Sequence, residues 1–263
     1  MNYQFDKENI SQRVVKYGVD VRPAIDIKDD KTKLQDYCNW LIEQFPQVFE
    51  TIIAGPRELR VQKTFFLAGG KQVELSTFLL TARGPVFTFP QRLFINEVQD
   101  IVISDKEKIF RKALDQLRSI FADVMVPRVG VINEIVFDTG ELDSVQILAS
   151  NLKNELWRER IKNLNIRLQA PTEDKNINLE VRPTHCRQAW PSPARRAGKA
   201  PIEYACPERS RGSGNVRFGL IVNVDINNLQ IKDDLTSAEI NDILAFAEDY
   251  VSDELIKFLN NEY

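Results

Sequence analysis

Val216, Phe218, Leu220, Val222, Val224 and Ile226 alternate with polar positions such as Arg217, Asn223, Asp225 and Asn227. A period of two predicts a strand with one buried face. "RVVKYGVDVRP" (13–23) carries the β-branched content of another strand, closed by Pro23. Leu34, Tyr37, Cys38, Leu41, Ile42 and Phe45 fall at helical spacing and predict an amphipathic helix that ends at Pro46. Residues 57–98 predict antiparallel strands, with Gly69-Gly70 and Gly84-Pro85 as turns and Pro90 as an interruption. Ser104/Glu107 and Thr236/Glu239 have capping-box spacing, each ahead of a helical apolar stripe. Between those helices come the strand 128–138 after Pro127, a short helix from Asp143, and two alternating runs around Leu164–Leu168 and Ile177–Val181.

In order, the elements read β-α-βββ-α and then β-α-βββ-α. This is an internal duplication or a parse that any α+β chain allows. Either way the expected class is α+β: antiparallel sheets with helices packed on one face. The halves divide as 1–126 and 127–263, the second carrying an insertion at 184–214.

That insertion, "THCRQAWPSPARRAGKAPIEYACPERSRGSG", has no hydrophobic period and holds four prolines. It stands where a hairpin loop of about 2–5 residues is usual and cannot supply a packed core, so it is expected to be disordered. Its "PARRAGKA" and "CPERSRGSG" resemble translated interspersed palindromic DNA repeats of bacterial genomes. Lengthening a loop from about 4 to about 35 residues costs roughly 2 kcal/mol of closure entropy, which a domain can absorb. The alternative is a basic arm with Trp190 and Tyr204 to stack on bases.

Composition narrows the classes. Six Lys/Arg against Glu203 and Glu208 put +4 on 184–214; from a net −3, the rest of the chain stands at −7. Such a body disfavours non-specific nucleic-acid binding outside the insertion. No apolar run reaches the ~18–20 residues of a membrane span, and the start has no signal-peptide core. Three cysteines make no disulfide framework, with Cys38 expected to be a buried thiol. A cytoplasmic setting is the expectation.

The lone histidine, His185, belongs to the insertion, which argues against a Ser-His-Asp or Cys-His site in the body. Beside it, Cys186 lacks the further ligands of a zinc site. The "AGGK" turn (68–71) is no phosphate loop. No cofactor or metal is expected on these grounds.

"RVGVINEI" resembles the Arg-x-Gly-x-Arg-Tyr-x-Asn strand of a sporadically distributed, functionally uncharacterised bacterial family. The order of elements, ending in a "VDI" strand and a long helix, is similar too. The resemblance implies that Arg128, Gly130 and Asn133 correspond to that motif. This chain lacks its second Arg and its Tyr, and Asn133 falls two residues early. The family brings a fold expectation and no catalytic residues.

Three functional readings follow. The first is a non-catalytic interaction or scaffold module for a protein partner or for itself, with Phe65, Phe66, Phe87 and Phe89 as the candidate docking surface. The second is a carboxylate-dependent enzyme, Mg-assisted, built on Glu97, Asp100, Glu134 and Asp138. The third is nucleic-acid binding through Arg57, Arg60, Lys63 and Lys71.

Overall fold

A computed structural model describes residues 3–66, 72–95, 99–100, 103, 105–140, 142–151, 165–185 and 218–262. For 65–66, 72–75, 90–95, 99–100, 151 and 184–185 it describes the backbone alone. Nine strands form one antiparallel sheet: β1 (Ile10–Arg22), β2 (Thr51–Ala54), β3 (Glu58–Phe66), β4 (Gln72–Thr81), β5 (Gly84–Ile95), β7 (Met125–Gly140), β8 (Ile166–Pro171), β9 (Lys175–His185) and β10 (Phe218–Asn228). The two-residue β6 (Gln99–Asp100) pairs with β5 off this path. Among the described residues the α-helices are α1 (Lys31–Gln44), α2 (Lys106–Ile120), α3 (Ser144–Asn151), α4 (Ser237–Asp249) and α5 (Leu255–Asn260), the last two joined by a π turn over Tyr250–Glu254.

Across the sheet the order is β2-β3-β4-β5-β1-β7-β10-β9-β8. The first strand of each half therefore lies at the centre, and each half builds outward by antiparallel neighbours. β1 and β7 pair from Ile10↔Phe137 to Arg22↔Met125, with Gly18 directly opposite Gly130. The chain is α+β, as its periodicities predict. The division at 126/127 falls inside β7 rather than in a linker, and most buried apolar residues of both halves belong to one cluster.

Alternation decides which side of the sheet each residue takes. Tyr17, Phe78, Phe87, Val129, Leu179 and Val222 share the face covered by helices, and all are buried. Tyr17 stacks on Phe110 of α2 at 4.9 Å, Tyr37 of α1 meets Phe78 at 5.5 Å, and the Tyr37 hydroxyl donates to the Ala113 carbonyl at 2.8 Å. Each such ring taken from water contributes about 1.5–3 kcal/mol.

Three local features depart from the sequence reading. Pro90 does not end a strand: β5 runs through it, and the β1–β5 register shifts between Arg13 and Val14, beside the Val14↔Pro90 pair. A bulge accommodates a residue that cannot donate to the ladder. The N-cap of α2 is Asp105, with no side-chain cap bond, and Glu107 instead receives Arg111 at 2.8 Å; Ser104 lies outside the described residues. The second turn is closed by Gly84 itself, at φ +136°, where a Cβ would stand 2.1 Å from the Val19 carbonyl oxygen. Only glycine fits there. The Gly69-Gly70 turn and nearly all of the 184–214 insertion lie outside the described residues; Thr184 and His185 close β9.

The second capping box forms. Thr236 Oγ1 accepts from Glu239 N–H, and the Glu239 carboxylate accepts from Thr236 N–H while Lys232 pairs with it. The Lys232 contact first, then the Thr236 donors, hold the Glu239 carboxyl down to about 2. A carboxyl depressed in the fold stabilises it above the unfolded value near 4.3 and loses that contribution as pH falls toward the folded value. Wild type should therefore melt above Glu239→Gln at pH 6, with the gap closing between pH 4.5 and 2. Melting temperatures across that range provide the check.

Candidate functional site

Phe87 and Phe89 do not form a docking surface. Both are fully buried, with Phe87 4.8 Å from Phe78 and 5.6 Å from Phe110. Their parity on β5 turns them toward the helices, so packing explains them and the expectation of exposure is corrected. The side chains of Phe65 and Phe66 lie outside the described set; their backbones pair with Val73 and Gln72.

The motif residues split between the two faces. Asn133 points under the helices and is 1% exposed. Its Oδ1 accepts from Arg13 Nε at 3.0 Å and Nη2 at 2.8 Å, and the same guanidinium reaches Glu248 of α4 at 2.7 Å. Lys106, at the start of α2, lies 3.7 Å from Glu248. Burial first, opposed by Glu248, lowers the Lys106 pKa. This node ties both central strands to helices of both halves. The Asn133 Nδ2 finds no partner among the described residues, which is a cost the node carries. Arg13→Leu strands Asn133 and leaves Glu248 without its bidentate partner. Because Glu248 keeps some exposure, the expected loss is about 2–3 kcal/mol, below the range for a fully buried pair. Urea unfolding should show it, with Arg13→Leu/Glu248→Leu recovering part.

Arg128 and Gly130 lie on the opposite face, which is helix-free among the described residues. The rows across that face follow from the register. Thr77, Thr88, Lys16, Ile132, Asp225 and Asn178 form one; Leu79, Val86, Gly18, Gly130, Asn227 and Asn176 form the next. Gln12, Val14 and Val136 are buried at one end, whereas Gly18, Gly130, Lys16 and Thr88 are half-exposed and Ile132 is 36% exposed. Three cations here meet carboxylates, Lys16 with Glu134, Arg60 with Glu58 at 3.6 Å, and Arg167 with Glu180 at 3.1 Å, whereas Arg128 makes no ion pair among the described residues. A cavity of about 380 Å³ opens at the β8–β10 side, lined in part by Arg167, Gln169, Asn178, Glu180 and Asp225.

Other candidates do not converge. Glu134 and Asp138 share a face of β7 but stand four residues apart, roughly 13 Å along a strand. Glu134 pairs with Lys16, and Asp138 accepts from the Gly140 N–H. Glu97 and the Asp100 side chain are outside the described set. Among the described residues no group of three or more His, Cys, Asp and Glu is placed to hold a metal ion. Lys63 donates to the Pro46 carbonyl while Arg60 turns to Glu58, so these two do not make one basic patch; Lys71 is outside the described residues. Cys38 is a buried free thiol, and burial pushes its pKa up to about 12, which leaves it inert. A second cavity of about 420 Å³ beside α4 is bordered by ion pairs and by Glu173. Lys175 bridges Asp174 and Asp242, and Lys232 takes Glu239.

No protein-family model matches the chain, and no curated protein matches it. Among the described residues, no helix is long and apolar enough to cross a membrane.

Proposed function

We propose that this chain is a non-catalytic interaction module that docks a protein partner, another protein or a second copy of itself, on the helix-free face of its sheet. The observation that carries this reading is the face itself. Helices cover one side of the central strands, while the middle of the other side presents half-exposed Thr, Val, Ile, Asn and ion-paired side chains. Interfaces of non-obligate complexes have this mixed character. Three of the face's cations are ion-paired and the face also carries Glu134, Glu180 and Asp225, a balance that speaks against a phosphate-tracking surface. A carboxylate active site lacks the convergence it requires, since Glu134 and Asp138 are separated along β7. A cytoplasmic setting is part of the proposal and accords with the free Cys38 thiol.

The test uses a folded chain with Thr88→Lys and Ile132→Lys, compared with wild type and with Asp115→Lys on the exposed side of α2. Gentle affinity purification with mass spectrometry identifies any stoichiometric partner, and sedimentation reports self-association. The open-face variant should lose the partner or the dimer at least tenfold, while Asp115→Lys keeps it. Loss from the α2 variant alone would overturn the assignment.

A further inference from the structure

Gly18 and Gly130 face each other at the centre of the sheet, and nothing among the described residues demands glycine at either place. Neither has a positive φ. Among the described residues, a Cβ on Gly18 would meet nothing closer than the Gly130 carbonyl oxygen at 4.0 Å, and one on Gly130 nothing closer than Asn227 Cβ at 3.6 Å. Both are ordinary van der Waals contacts, in contrast with Gly84. Glycine inside a strand nonetheless weakens it, through chain entropy and missing side-chain packing. Two cross-paired glycines in the two central strands are thus a standing cost with no internal return. Glycine in a strand interior commonly marks close approach by something else, and here the bare backbone faces the helix-free side.

The surroundings specify what approaches. Val86 lies across from Gly18 on β5, and Ile132 lies two residues past Gly130, giving the floor two apolar edges, while Asn227 and the Asp225 carboxylate border it on the β10 side. Arg128 lies two residues before Gly130 and makes no ion pair among the described residues. Asp20 stands opposite it on β1, but the two do not come within ion-pair distance. A flat, apolar group fits two adjacent positions without a Cβ, and an anionic group complements Arg128.

We propose that the Gly18–Gly130 floor receives an aromatic side chain of a polypeptide partner, with a neighbouring carboxylate of that partner meeting Arg128. The inference rests on the interaction-module reading and gives its face a specific centre. Adding two methyl groups raises the floor where the ring would lie, so the same change that helps the fold hinders the partner.

The experiment pairs stability with a defined probe. Gly18→Ala, Gly130→Ala and the double variant are melted, and each chain is titrated with the capped peptide Ser-Glu-Trp-Ser, followed by amide chemical shifts. Capped Ser-Glu-Leu-Ser and Ser-Lys-Trp-Ser are controls. Each alanine should raise the melting temperature by roughly 1–4 °C. In wild type the Glu-Trp peptide should shift the Gly18, Gly130 and Arg128 amides saturably, at least tenfold more tightly than either control or than the double variant. Lower melting temperatures would overturn the premise that the glycines are internally unneeded. Absent shifts, shifts on the helix side, or equal binding by the double variant would overturn the docking site. The lysine variants at Thr88 and Ile132 act on the partner by a separate route. Loss of the partner there beside a silent peptide titration would retire the glycine floor and keep the module.

Discussion

The antiparallel pairing of β1 with β7 is the constraint on which the rest depends. Each is the first strand of its half, and their ladder turns two strand groups into a single sheet with a common core. Arg13 reinforces that seam from the helix side. It engages Asn133 across the pair and Glu248 above it, so strand pairing and helix docking are fixed by one guanidinium. A buried charge stays only where its partners stay, and displacement of α4 would leave Arg13 uncompensated.

The same seam divides the labour of the two faces. Odd positions of β1 and β7 supply Tyr17, Val129, Val131 and Phe137 to the core, while even positions supply Lys16, Gly18, Arg128, Gly130 and Ile132 to the helix-free side. Period-two geometry couples the faces: a register slip of one residue would exchange the two sets and lose core and docking face together. The glycine pair adds a tension. The seam joins the two halves of the sheet, yet at its centre it gives up side-chain packing that alanine would provide.

Much of the fold is legible in the sequence because periodicity is a local signal. The alternation of Leu220, Val222, Val224 and Ile226, the stripe through Leu34 and Leu41, and the Thr236/Glu239 box each announce an element from a few neighbouring residues. Pro90 misleads because the β1 strand that accommodates it through a register shift lies some 75 residues away in sequence. Phe87 and Phe89 mislead for a related reason. "PVFTFP" states that alternate residues share a side, but not which side the helices take. Asn133 was singled out, whereas its partners Arg13 and Glu248 lie 120 residues before it and 115 after it, and no spacing rule links them. Gly130 was noted for a motif, but its importance comes from facing Gly18, which only the register reveals. A weak signal was present: "KYGV" and "RVGV" occupy the same place in the two halves.

Native-state hydrogen exchange across a denaturant series tests the seam most directly. If the β1–β7 pairing holds both halves as one unit, amides of β1 and β7 around Gly18 and Gly130 exchange last. Those of β4 and β10 should then join them in one global opening as denaturant rises. An opening that frees β9 and β10 while β1 to β5 stay protected, or the reverse, would contradict the account, because each half would then stand without the other.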